Sequence, residues 1–167
     1  MIFLKTRCGI DMSVNFSCSD EAKENINHAL MRLPKEVVES KNYLFVCVDY
    51  SDARRLVMKN YKGYEIIVFS EFVVPRDRVS EDHWSKRYFY FVVFHEIAHA
   101  YLEHVSPRET SFSENQKQEA AADELAFEWM NNYCERTKSK LFTENELSES
   151  QSRVKSERMK YLKILNS

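Results

Sequence analysis

From Trp84 to His104 the chain runs without a proline or a glycine. The first half of this stretch, "RYFYFVVF", could pass for a buried strand, because a short apolar run has no decisive period. Its continuation, "HEIAHAYLEH", carries Ala98, Ala100 and Leu102, which favour helix. The whole is also too long for one strand. The stretch therefore predicts a single helix, flanked upstream by strand-like segments.

Those segments fix the fold class as α+β. "YLFVCVD" (Tyr43–Asp49) is rich in β-branched and aromatic residues and reads as a strand. Gly63 marks a turn, and a second strand follows from about Tyr64 to Phe69. Ile26, Ala29, Leu30 and Leu33 recur at helical spacing, so the first regular element is expected to be a helix from about Asp20. Pro34 ends or kinks that helix, with Val37 and Val38 in a shorter turn. "SDARRLVMK" reads as a short helix capped by Ser51 or Asp52. Beyond Pro107, Ser113 with Gln116 forms a capping box for a helix over "QKQEAAADELAFEWMNNYCER". Thr143 with Glu146 forms another and opens a charged C-terminal helix, with Val154, Met159, Leu162 and Leu165 on one side. The expectation is one domain over residues 1–167, with a core of about 43–134 and the charged helix at about 143–165.

Composition removes several function classes. With 167 residues, 44% of them hydrophobic, the chain can bury a real core. A net charge of -2 offers no basic stripe, so no nucleic acid is expected as partner. Two glycines cannot build a Gly-rich phosphate loop. Cys8, Cys18, Cys47 and Cys134 form no CxxC pair and read as reduced packing residues. The N-terminus lacks the h-region of a signal peptide, and "YFYFVVF" is too short to span a bilayer. The reading is a soluble, cytoplasmic protein that does not engage a membrane.

The chemistry concentrates in "HEIAH". On a helix, His95 and His99 lie on one face and can reach one metal ion. Glu96 lies about 100° round the axis and is placed to accept a proton from a water at that ion. Taken alone, such a pattern arises by chance, and a lone histidine on a helix is more often a satisfied residue than a ligand. Catalytic zinc also needs a third ligand and an open position. "EAAADELA" supplies Glu119 as that ligand. Asp123, four residues on, can hold a ligand histidine through its second ring nitrogen. The alanines between them permit close helix–helix approach. Glu119, Asp123, Glu124 and Glu128 by themselves would read as a solvated acidic face. Next to HExxH, ligation is the better account.

"HEIAH" followed by "EAAAD" resembles the gluzincin metallopeptidases, with their HExxH and downstream ExxAD. Glu119, Ala122, Asp123 and Ala126 are similar to the third-ligand motif of Ste24/HtpX-type peptidases. In size and in lacking membrane spans, the chain is more similar to the soluble ImmA/IrrE-type peptidases of phages and mobile elements. The resemblance covers roughly Tyr64 to Met130. It implies a zincin-like domain, mostly helical, with a small sheet beside the HExxH helix. It also implies that "EIIVFS" is the strand whose edge pairs with substrate.

The function expected is a zinc (Zn²⁺) metallo-endopeptidase acting on one or few protein or peptide substrates. His95, His99 and Glu119 would be the ligands, Glu96 the general base and Asp123 the orienting carboxylate. His104, Tyr101, His83 and Tyr133 are candidate donors to the oxyanion. His104, five residues beyond His99, starts about 140° away on the helix and reads as a near-site or surface residue more than a fourth ligand. The charged C-terminal helix is a candidate docking element. Two other classes compete: a regulatory binding protein on the same scaffold that cleaves nothing, and a helical interaction protein without metal. Oligomeric state is not written in the sequence.

Overall fold

The computed structural model describes residues 14–48, 54–56, 63–70, 72–75 and 79–165. In chain order these form β1 (Val14–Ser17), α1 (Asp20–Leu30), α2 (Lys35–Glu39), β2 (Asn42–Val48), β3 (Arg54–Leu56), β4 (Tyr64–Ser70), α3 (Trp84–Tyr101), α4 (Phe112–Thr137) and α5 (Glu144–Leu165). The fold is α+β. The four strands make one sheet in the order β1-β2-β4-β3. β1, β2 and β4 run parallel, and β3 pairs antiparallel to β4.

α3 is the centre of the molecule because its sequence leaves it no wet face. Twelve of its eighteen residues are buried, and a helix that is apolar all round must be enclosed. It touches β3 and β4 on one side and α1, α4 and α5 on others. A row of aromatic rings crosses the sheet and ends on it: Phe16 on Phe45 at 5.9 Å, Phe45 on Phe69 at 5.9 Å, and Phe69 on Phe89 at 5.6 Å. Ala98, Ala122 and Ala126 are fully buried, and these small side chains let α3 and α4 approach closely.

Several elements depart from the sequence expectations. β1 precedes α1, so the first regular element among the described residues is a strand. "SDARRLVMK" does not yield a helix at its centre: Arg54–Leu56 is β3, paired Arg55 to Ile67. Pairing with β4 overrides local helix preference there. α4 is capped by Ser111, whose hydroxyl accepts from the Glu114 backbone N–H at 3.2 Å, and not by Ser113. "EIIVFS" lies in β4, which pairs with β2 on one side and β3 on the other. Over Ile66–Val68 the antiparallel partner β3 occupies that edge of β4.

The Thr143 hydroxyl does cap α5, accepting from the Glu146 backbone N–H at 3.2 Å. The start of α5 packs on the core through Leu147 and Val154, with Ser150 buried, while Met159 is exposed. Gly63 takes a φ of +74° at the turn into β4, a conformation glycine adopts without cost. Cys134 is a buried free thiol, Cys18 and Cys47 are half-buried, and Cys8 lies outside the described residues. Among the described residues, no helix is long and apolar enough to cross a membrane.

Candidate metal centre

α3 and α4 form an antiparallel pair joined by a loop, and residues four apart on each meet as successive rungs. His99 faces Glu119, His95 faces Asp123, and Phe91 faces Phe127, with ring centroids 4.9 Å apart. Spacing by four keeps each row on one face of its helix.

The first two rungs gather four of the residues singled out in the sequence. His95 Nε2 and His99 Nε2 are 3.1 Å apart. Glu119 Oε2 lies 3.4 Å from the first and 3.6 Å from the second. One nitrogen from each ring and one carboxylate oxygen thus converge on a common point, and this group could hold a metal ion. On the far side of the His95 ring, Nδ1 is 2.8 Å from Asp123 Oδ1. The histidine side chains are only 18% and 12% exposed, while Glu119 and Asp123 are each 47% exposed. The cluster is therefore rooted in the core and open to solvent on the α4 side. Glu96, next to His95, is buried.

Burial works against protonation of His95, but its contacts with Asp123 and Glu119 outweigh it and push the imidazole up to about 10. Contacts with His95 and His99 hold the Glu119 carboxyl far below the usual carboxylate range. A proton on His95 thus does what a divalent cation would do there. Metal uptake would release it.

The four candidates for an oxyanion donor are dispersed. His83 caps the N-terminus of α3, its Nδ1 accepting from the Ser85 backbone N–H at 3.3 Å. It stands about 18 Å along the helix from His95. Tyr101 sets its ring edge against Trp129 at 6.0 Å. Tyr133 lies under the Arg32 guanidinium at 4.7 Å. His104 meets His99 from the other side of the ring, Nδ1 to Nδ1 at 2.9 Å. The sequence reading missed this contact because it extended the helix to His104, whereas α3 ends at Tyr101.

Residues 88–158 match the family model described as Peptidase U49, a stretch from α3 through α4 and into α5 that is less than half of the chain. No curated protein and no solved structure matches it. The family match supports a peptidase, and it falls on the two helices that carry the histidine–histidine–carboxylate cluster.

Proposed function

We propose that the chain is a zinc-dependent peptidase of gluzincin type acting on one or few protein substrates, with His95, His99 and Glu119 as ligands. The observation that carries this reading is the shape of the donor triangle. A tetrahedral ion with bonds of about 2.0–2.1 Å requires donor–donor separations of about 3.3–3.4 Å. The three observed edges are 3.1, 3.4 and 3.6 Å. Two imidazoles and one carboxylate are also a donor set that suits zinc and leaves a fourth position open.

Bound there, zinc supplies Lewis acidity toward a scissile carbonyl and makes a water more acidic. The chain's own residues do the rest. Glu96 accepts the proton of the attacking water and delivers it to the departing amine. Asp123 accepts a hydrogen bond from His95 Nδ1–H, which leaves Nε2 unprotonated and aimed at the ligand position. β3 is the outermost strand on its side of the sheet among the described residues, and it runs against α3. An extended peptide added to that edge would lie beside the metal helix.

Two measurements test the reading. Mass spectrometry of the purified chain should find about one zinc per wild-type molecule and marked loss in Glu119→Ala. Mapping new N-termini in cells that express wild type or Glu96→Gln should reveal a short set of cleavages made only by wild type. A chain that takes up no zinc, even on reconstitution, ends the metallopeptidase reading. Zinc without wild-type-specific cleavage would leave a metal-binding regulator instead.

A further inference from the structure

The C-terminal end of α3 does more than stop a helix. Glu103 adopts a left-handed conformation with φ 56°. Its N–H donates to the Ala100 carbonyl at 3.3 Å, and the next N–H, that of His104, reaches back to the His99 carbonyl at 3.0 Å. This pair of bonds is the Schellman pattern. It folds the second residue past the helix over the residue three places before the cap. That contact is usually apolar. Here it brings together two imidazoles, with centroids 4.9 Å apart and planes at 72°. Their Nδ1 atoms lie 2.9 Å from each other.

We propose that His104 is a positioning residue for the metal centre, holding His99 through Nδ1 as Asp123 holds His95. The inference deepens the zinc reading and rests on it. The chemistry follows from which nitrogen each ring presents. His99 points Nε2 at His95 and Glu119. With Nε2 engaged as a ligand, the ring proton of neutral His99 sits on Nδ1. There it donates to Nδ1 of His104, whose own proton then occupies Nε2. Each ligand histidine is thereby oriented by a hydrogen bond from its non-ligating nitrogen, one to a carboxylate on α4 and one to an imidazole delivered by the helix-ending turn. Partners of this kind are commonly worth 10- to 100-fold in metal affinity.

The same turn gives the proposal its control. His104→Phe keeps a ring in contact with His99 and removes the acceptor. His104→Asn places an amide oxygen near the position of the imidazole Nδ1. Zinc affinity of the full-length proteins would be measured by competition with a chromophoric chelator, alongside melting of the metal-free forms. The expected result is at least a tenfold loss of affinity in His104→Phe, and recovery to within a few-fold of wild type in His104→Asn. Melting of the metal-free His104→Phe chain should stay near wild type. Affinity in His104→Phe within twofold of wild type overturns the proposal. So does an equal loss in both variants, since that would trace to the turn and not to the acceptor. Wild-type protein that binds no zinc overturns the zinc reading, and this inference with it. Wild-type binding with an indifferent His104→Phe overturns the inference alone.

Discussion

The α3–α4 pair carries a charged cluster at each end, and the two are built to opposite plans. At the N-terminal end of α3, Arg87 is 5% exposed and fully answered. Its Nε donates to Glu146 Oε1 at 2.6 Å, Nη2 to Glu146 Oε2 at 3.2 Å, and Nη1 to the Lys140 carbonyl at 2.9 Å. Cation, carboxylate and backbone acceptor balance, and the result ties the start of α5 to α3. At the other end, His95 and His99 meet Glu119 and Asp123 with Glu96 buried beside them. Two imidazoles there meet two carboxylates, Glu119 and Asp123, which are half open to water. Between the two ends stands an apolar spacer of Phe91, Phe127 and Phe142, with centroids 4.9 to 5.8 Å apart. The same helices thus hold one cluster closed by its own ion pair and one whose donors could hold a metal ion.

Breaking the closed end should cost the most stability. Arg87→Met leaves Glu146 partly buried without its main partner, and loss of one member of a buried pair typically costs about 3–5 kcal/mol. Chemical denaturation of the metal-free chain would measure it. The contrast predicts that the folded fraction still binds zinc with wild-type stoichiometry. If Arg87→Met abolished zinc binding in protein that remains folded, the two ends would not be independent. Next in size is Asp123→Asn at the open end, expected to reduce zinc affinity by about 10- to 100-fold. Chelator competition reads it. Melting of the metal-free chain should fall too, since Asp123 helps hold the proton on His95, so the loss of zinc affinity is what sets it apart from Arg87→Met.

The smallest effect is acid sensitivity of the closed end. Burial alone would raise the Glu146 carboxyl, but Arg87 reverses this and holds it below the ordinary carboxylate value of 4.5. A carboxyl lower in the folded than in the unfolded state stabilises the fold above its unfolded value. That contribution fades as pH falls through the folded one. Stability should therefore drop between pH 6 and pH 3 by more in wild type than in Glu146→Gln. Equal slopes in the two proteins would remove Glu146 from the account.

The open end was largely legible in sequence, because residues four apart on a helix share a face wherever that helix packs. His95 with His99, and Glu119 with Asp123, follow from that rule alone. How the two rows face each other depends on the α3–α4 packing, which no local pattern encodes. The helix ends were hidden for a different reason. Glu103 and Lys138 both take the left-handed conformation at φ 56° and 55°, and the turn after α4 repeats the bonds of the turn after α3. Glycine is the usual signal for such an ending. Neither position has it, in a chain with only two glycines. β3 was hidden because three residues with helix-compatible neighbours gain their strand from β4. β1 was hidden because "VNFS" is too short to carry a period.

The ladder of rungs also has a consequence for how such a protein can be rebuilt. Every side chain of the candidate centre, its two orienting partners and the ion pair at the far end lie between Arg87 and Glu146. The sheet contributes none of them. The candidate centre and the ion pair are thus carried by one helical hairpin and its capping strap. In a lineage, the second half of the chain can then be inherited as a unit while the first half varies. A family match that begins at Tyr88 and leaves the strands uncovered fits such a division of labour.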